Sequence, residues 1–158
     1  MNAIELLHRF REAVESDADL DAWANITYNR PVSVFVGIDE KNPPGDGDYP
    51  LIHLFPRARR EGYDAGESQE TVIGVSCGVL DDGVVSLPAA NTTEAASVSR
   101  LDELRRLALA AIDGADIGGA MLAEVETEYE TVEFWPYLVC VMLITVREEY
   151  LAGQDPFA

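Results

Sequence analysis

The feature that most constrains the fold is a pair of β-type segments near the C-terminus. Residues 138–146 read Leu-Val-Cys-Val-Met-Leu-Ile-Thr-Val, an apolar run rich in β-branched side chains. The run is too short to span a bilayer, and it predicts a strand covered on both faces in the middle of a sheet. The segment before it alternates, so that Glu124, Glu126, Glu128 and Glu130 point to one side of a second strand. We expect the two strands to be partners.

The glutamate row on the second strand is the sharpest local pattern in the chain. Side chains two apart on a strand lie roughly 7 Å apart, so the row forms a negative stripe about 20 Å long. This spacing is too wide to wrap one calcium ion, and nothing marks one of the carboxylates as a desolvated acid or base. Three interpretations stay open: a solvated sheet face, a surface that repels a polyanion, or a surface that pairs with arginines of a neighbouring subunit.

The chain carries a strong excess of negative charge. It has 29 acidic and 11 basic residues, a formal net charge of −18, and a hydrophobic fraction of 47%. The apolar content argues against disorder and predicts a single domain over residues 1–158, with an ordered core at about 2–150 and a short C-terminal tail. The charge argues against conventional nucleic-acid binding and against anionic membranes, although solubility or a salt-rich or high-GC host would also explain it.

Hydrophobic periodicity divides the rest of the chain into helices and strands. In chain order we predict a helix at 2–16, a turn at 20–23, strands at 32–38 and 51–55, a polar loop at 57–69, a strand at 71–80, a hairpin turn at 81–83 into a strand at 84–87, a loop at 88–97, a helix capped by Ser99, and the two closing strands. This order predicts an α+β fold, a mostly antiparallel sheet with two main helices packed against it.

The basic residues include one cluster, formed by Arg57, Arg59 and Arg60. It lies at the base of the predicted polar loop, which is longer than an ordinary connection needs to be. The cluster is either part of a solvated loop or a contact that forms on assembly, because guanidinium groups suit carboxylate partners.

No motif for catalysis, metal or cofactor binding stands out, and we predict a protein that is not an enzyme. Cys77 and Cys140 lie in apolar strand patterns and are interpreted as buried thiols, with a disulfide between neighbouring strands as the alternative. His8 and His53 lack partners at zinc-ligand spacing, and the aspartates of 46–48 are typical of a turn. The N-terminus lacks the pattern of a signal peptide, so we expect folding in a cytoplasm.

The layout as a whole resembles the tail-terminator (tail-completion) proteins of long-tailed bacteriophages. These are small α+β proteins that assemble as a ring on the end of the tail tube. The resemblance lies in the N-terminal helix, the strand at 32–38, the proline-bounded strand at 49–56, the long loop, the strand at 71–80, the helix at 100–112 and the closing strands.

The resemblance implies a structural virion-assembly protein of a phage or prophage. It implies a homo-oligomeric ring such as a hexamer, with tail-tube and head-neck proteins as partners, no cofactor, no membrane and no sequence-specific nucleic acid. Such a protein is found in the host cytoplasm during assembly and then in the virion tail.

In such a ring the glutamate row would line the DNA channel or meet the Arg57–Arg60 cluster of the next subunit. An alternative of a different class is an acidic DNA mimic, or another protein-binding module, that blocks a basic partner.

Overall fold

A computed structural model describes residues 1–62, 68–87, 91–130 and 135–149. The helices are α1 (Ala3–Glu15), α2 (Ala18–Tyr28) and α3 (Ala96–Asp113). The strands are β1 (Ser33–Val36), β2 (Leu51–Arg60), β3 (Ser68–Leu80), β4 (Val84–Leu87), β5 (Thr92–Ala95), β6 (Met121–Tyr129) and β7 (Tyr137–Glu149). The predicted C-terminal tail lies outside the described residues.

Among the described residues, five strands form the main sheet in the order β1-β2-β3-β7-β6. β1 and β2 are parallel, and every other neighbouring pair in this sheet is antiparallel. The predicted α+β class and the mostly antiparallel sheet are therefore confirmed. The two C-terminal strands are partners as predicted, and β7 lies inside the sheet between β3 and β6.

Helices α1 and α3 pack on one face of the main sheet, here called the helix face, and α2 packs against α3. Their buried side chains form one core with alternate residues of β2, β3 and β7. The core members are Leu6, Leu7, Phe10, Val14, Leu20, Leu101, Leu104, Leu107, Ala108, Ala111 and Ile112 of the helices, and Ile52, Leu54, Ile73, Val75, Cys77, Val79, Cys140, Met142, Ile144 and Val146 of the sheet. The opposite side is here called the open face.

The prediction that the apolar strand is covered on both faces is wrong for the described part of the chain. Cys140, Met142 and Ile144 are fully buried under the helices, whereas Val141 and Leu143 on the open face are only half-buried. Within the described residues, their neighbours across the sheet lie on β3 and β6.

The first helix forms as the sequence predicts, and a second helix replaces the predicted short turn. The side chain of Asn2 caps α1 by accepting a hydrogen bond from the backbone N–H of Glu5 at 2.8 Å. Asp17 caps α2 in the same way, with Leu20 as the donor at 2.8 Å. Asn29, in the left-handed conformation with φ 55°, ends α2. The caps define a helix that the weak apolar periodicity of this segment does not indicate.

The predicted polar loop at 57–69 is wrong at both ends. β2 continues to Arg60 and β3 begins at Ser68, so the two strands form one long hairpin. A bulge between Pro56 and Ala58 lets β2 continue past the proline. A proline is tolerated in an edge strand or at a bulge, but not in a central strand. The arginine cluster therefore lies on a strand rather than on a loop.

The segment after β3 also departs from prediction. β4 pairs with β5 in a separate ribbon instead of folding back on β3, and α3 begins at Ala96 instead of at a Ser99 cap. The side chain of Asp81 accepts a hydrogen bond from the Gly83 N–H at 2.8 Å, and the Gly83 carbonyl accepts one from the Ala96 N–H at 2.8 Å. These bonds direct the chain from β3 toward α3.

Candidate assembly surfaces

The predicted glutamate row is present on β6 and faces away from the helices. Glu124, Glu126 and Glu128 pair in register with open-face residues of β7 and are exposed. Glu130 follows the end of the strand, where its backbone N–H donates to the Val139 carbonyl at 2.9 Å. The three residues on the strand are here called the acidic row. No ion pair involves them within the described residues.

β6 is exposed on both of its sides, which is unusual for a strand of this length in a sheet. On the helix side, Val125 is 37% exposed and Tyr129 is 56% exposed, because the helix layer does not extend over β6. The Tyr129 hydroxyl lies 3.2 Å from a carboxylate oxygen of Asp102 on α3. Of the described strands, none lies beyond β6, so its outer backbone edge is open to a partner.

The three clustered arginines have different roles. Arg59 is held within the chain: it donates to Glu61 Oε1 at 2.6 Å, to Gln69 Oε1 at 3.0 Å, and to the Met1 carbonyl and Thr71 Oγ1 at 3.1 and 3.2 Å. Arg57 and Arg60 are exposed, and neither has a hydrogen-bond or ion-pair partner among the residues that the structure describes. We call these two the free arginines.

The acidic row and the free arginines lie at opposite edges of the main sheet. β1 pairs only with Leu51–Leu54 of β2, so the outer edge of β2 beyond Leu54 has no partner strand in the described structure. Three strand spacings, from β2 through β3 and β7 to β6, separate the two edges by roughly 14 Å. The structure therefore does not bring the predicted acidic and basic residues together within one chain.

Sequence reasoning missed an aromatic cluster on the open face. A Cβ atom at Gly74 would lie 2.2 Å from the tip of the Phe55 ring, so the end of this ring occupies the space above the glycine. The His53 ring stacks on Phe55 with centroids 4.9 Å apart. Its Nε2 atom is buried without a hydrogen-bond partner in the described region, and burial lowers the pKa of His53. In the sequence, the pattern of residues 51–55 indicates a strand. It does not indicate which face of that strand is left without a packed layer of helices.

A second missed cluster ties α2 to α3. The buried carboxylate of Asp81 contacts Arg100 and lies 3.2 Å from the Tyr28 hydroxyl. Burial is the largest single contribution to the pKa of both Tyr28 and Asp81, and in each case it acts to raise the pKa. The pKa of Tyr28 is raised. For Asp81 the Arg100 guanidinium and the Gly83 N–H outweigh burial, so its pKa is lowered. Tyr28, Asp81 and Arg100 border a cavity of about 370 Å³ that Pro136 also lines.

The other predicted residues form no constellation for chemistry in the described structure. Cys77 and Cys140 lie opposite each other on β3 and β7 as buried free thiols, as predicted. The hydrogen bond between them, followed by burial, raises the pKa of Cys77. Within the described ranges, no three His, Cys, Asp or Glu side chains group as a metal site. The helices that the structure describes are each too short or too polar to cross a membrane.

Comparison with known proteins gives a structural match only. Neither a protein-family profile nor a curated protein matches the sequence. Among solved structures, the chain is similar to a protein from the virion of a native gene transfer agent particle, with a TM-score of 0.57 and 15% sequence identity. The alignment covers 95% of this chain and 100% of the other. At this identity the match shows a shared fold, and it covers the main sheet and helices described above.

Proposed function

We propose that this chain is a structural protein of a phage-like virion and works by assembly, not by catalysis. The observation that carries the proposal is the structural match, which extends over nearly the whole of both chains. The matched protein is part of a gene transfer agent virion. Because a fold alone can serve many functions, the proposal also draws on the surfaces of this chain. A strand exposed on both faces and at its edge is typical of a protein that is completed by a neighbour.

The more specific form of the proposal is a tail terminator, which caps the tail tube as a homo-oligomeric ring. A ring needs two different complementary patches on one chain, and the acidic row and the free arginines are such a pair. The net charge of −18 suits a ring around a DNA channel, because the phosphates of passing DNA are repelled. In this proposal the partners are tail-tube and head-neck proteins, and the protein passes from the host cytoplasm into the virion tail.

The proposal is tested by mixing the purified full chain with tail tubes from a particle that lacks it and imaging the mixture by negative-stain electron microscopy. We expect a ring of added density at one end of each tube. Deletion of the coding sequence should leave particles with heads and tails that do not join. Complete, infective particles without the protein, together with tubes whose ends stay bare, would refute both forms of the proposal.

The DNA-mimic alternative predicts a different result in the same preparation. It requires acidic residues in regular rows over a large exposed face, and within the described sheet the open face is mainly apolar between its edges. A DNA mimic would bind a basic DNA-binding protein with an affinity that falls strongly with salt, and it would not bind the tube ends.

A further inference from the structure

We infer that copies of this chain join head to tail through the two opposite edges of the main sheet. In this contact the outer edge of β6 in one copy lies along the outer edge of β2, residues 55–60, in the next. The inference rests on the proposed function in one respect, namely that the chain works as a homo-oligomer. Beyond that function, the inference specifies which two surfaces meet, that the partner is a second copy of the chain, and that the contact is head to tail.

The first step is the backbone. Each of these edges offers N–H and C=O groups that no described strand pairs with. β6 runs antiparallel to β7, β7 antiparallel to β3, and β3 antiparallel to β2, so β6 and β2 point in opposite directions. A second copy shifted sideways by the width of the sheet therefore presents its β2 to β6 in the antiparallel orientation, which a continued sheet of this kind requires.

The second step is the height of the charged residues along the strands. Arg60 pairs with Glu70, which pairs with Arg147, which pairs with Met121, so Arg60 and Met121 lie at one height. Glu124 lies at the height of Ala58 by the same sequence of pairs through Val72 and Thr145.

Arg57 is the extra residue of the β2 bulge, between Pro56 and Ala58. Glu126 lies at the height of Phe55, so the Met121–Glu126 part of β6 in one copy lies along residues 55–60 of the other, with Arg57 next to Glu124 and Arg60 two strand residues away from Glu124.

The third step is the polarity that the charges impose. Two β6 edges would bring the acidic row against itself, and two β2 edges would bring the free arginines against each other; both contacts are repulsive. Only the contact of β6 with β2 brings opposite charges together. Such a heterologous contact repeats from copy to copy, and it closes into a ring when each copy is rotated by a constant angle.

The experiment compares two charge-reversed forms of the full chain by sedimentation velocity and native mass spectrometry. The acid-edge variant carries Glu124→Lys, Glu126→Lys and Glu128→Lys, and the basic-edge variant carries Arg57→Glu and Arg60→Glu. We expect the wild type to form oligomers and each variant alone to be shifted to monomer by at least about tenfold in association constant, which is about 1.4 kcal/mol. Mixed in equal amounts, the variants offer complementary edges again and should restore oligomers in which they alternate.

A matched control separates the edge from the overall charge. Glu40→Lys, Asp82→Lys and Asp113→Lys change three exposed acids outside the sheet edge. Like the acid-edge variant, this control adds six positive charges to the wild-type value of −18. If net charge alone governed association, both triple variants would associate more strongly than the wild type. The edge contact predicts that only the acid-edge variant loses association.

Three results would overturn the inference: a wild-type chain that stays monomeric at high concentration, an acid-edge variant of wild-type size, or variants that do not recover when mixed. The recovery also shows that both variants are folded, since unfolded chains would not reassemble. If the tube ends are capped by the acid-edge variant as well as by the wild type, the edge contact is wrong while the proposed function stands. If the edges behave as expected but particles form without the protein, the function is wrong and the contact stands.

Discussion

At the scale of single residues, Asp81 is the polar group on which the local fold most depends. Its carboxylate is 9% exposed and binds Arg100, the Tyr28 hydroxyl and the Gly83 N–H, which belong to three separate segments. We expect Asp81→Asn to lower the free energy of unfolding by roughly 1 to 3 kcal/mol, because three half-buried partners lose a charged acceptor that is itself buried. Urea denaturation measures the change, and Asp82→Asn, at the exposed neighbouring position, should leave it nearly unaltered.

The same carboxylate makes the stability difference depend on pH. The pKa of Asp81 is lower in the folded chain than the ordinary value of 3.8. A carboxyl group of this kind contributes stability that is present above its unfolded pKa and is lost as the pH falls through the folded one. The difference in free energy of unfolding between the wild type and Asp81→Asn should therefore be largest at neutral pH and decrease below about pH 4. A gap that is constant down to the acid transition would show that the charge of Asp81 is not the stabilising element.

His53 gives a second pH effect, in a higher range. Burial lowers its pKa from the ordinary value of 6.5, and its Nε2 atom has no hydrogen-bond partner in the described structure. Neutral His53 contributes stability that is fully present above about pH 6.5, and this stability is lost as the pH falls through the lower pKa of the folded chain. We expect the urea midpoint of the wild type to fall between about pH 7 and pH 5 and that of His53→Gln to fall less. His8→Gln, at an exposed site, should keep the wild-type slope.

At the scale of elements, the contact of Phe55 on Gly74 determines how β2 and β3 lie together on the open face. A glycine in a strand is usually improved by alanine, but here the new methyl group would overlap the Phe55 ring. We expect Gly74→Ala to destabilise the chain by roughly 1 to 3 kcal/mol, because the ring must leave its place. Gly47→Ala, which meets no atom within 4 Å, should be neutral. In the Phe55→Ala background the cost of Gly74→Ala should disappear, which a double-mutant cycle tests.

The elements also show where a sequence indicates structure and where it does not. α1 and α3 are indicated by apolar periodicity, β7 by an apolar run and β6 by its alternating glutamates, and the structure confirms these elements. Residues 57–60 carry three arginines and lie on an edge strand exposed to solvent, so no apolar alternation marks them as a strand. The hairpin predicted at 81–83 is wrong, because β4 pairs with β5 and the carboxylate of Asp81 binds Tyr28 and Arg100, which are distant in the sequence. The glutamate row could be predicted as one exposed face because a two-residue period is local, whereas its position opposite the free arginines depends on the strand order.

At the scale of the whole molecule, the proposed edge contact and the net charge act against each other. Every copy carries −18, so copies repel at long range, while the edge contact joins opposite charges at short range. Salt acts first on the longer distances: the screening length falls from about 30 Å at 0.01 M to about 8 Å at 0.15 M and about 3 Å at 1 M.

We therefore expect the association constant of the wild type to rise as salt is added from a low concentration and to fall again toward about 1 M. Sedimentation velocity across this range measures the profile. Repulsion alone would give a rise without the later fall, and attraction alone would give a fall from the start. A chain with all five edge charges exchanged, in which Glu124, Glu126 and Glu128 become Lys and Arg57 and Arg60 become Glu, retains complementary edges and should show the same maximum. The acid-edge variant, which loses the attraction while its net charge falls in magnitude, should associate weakly at every salt concentration.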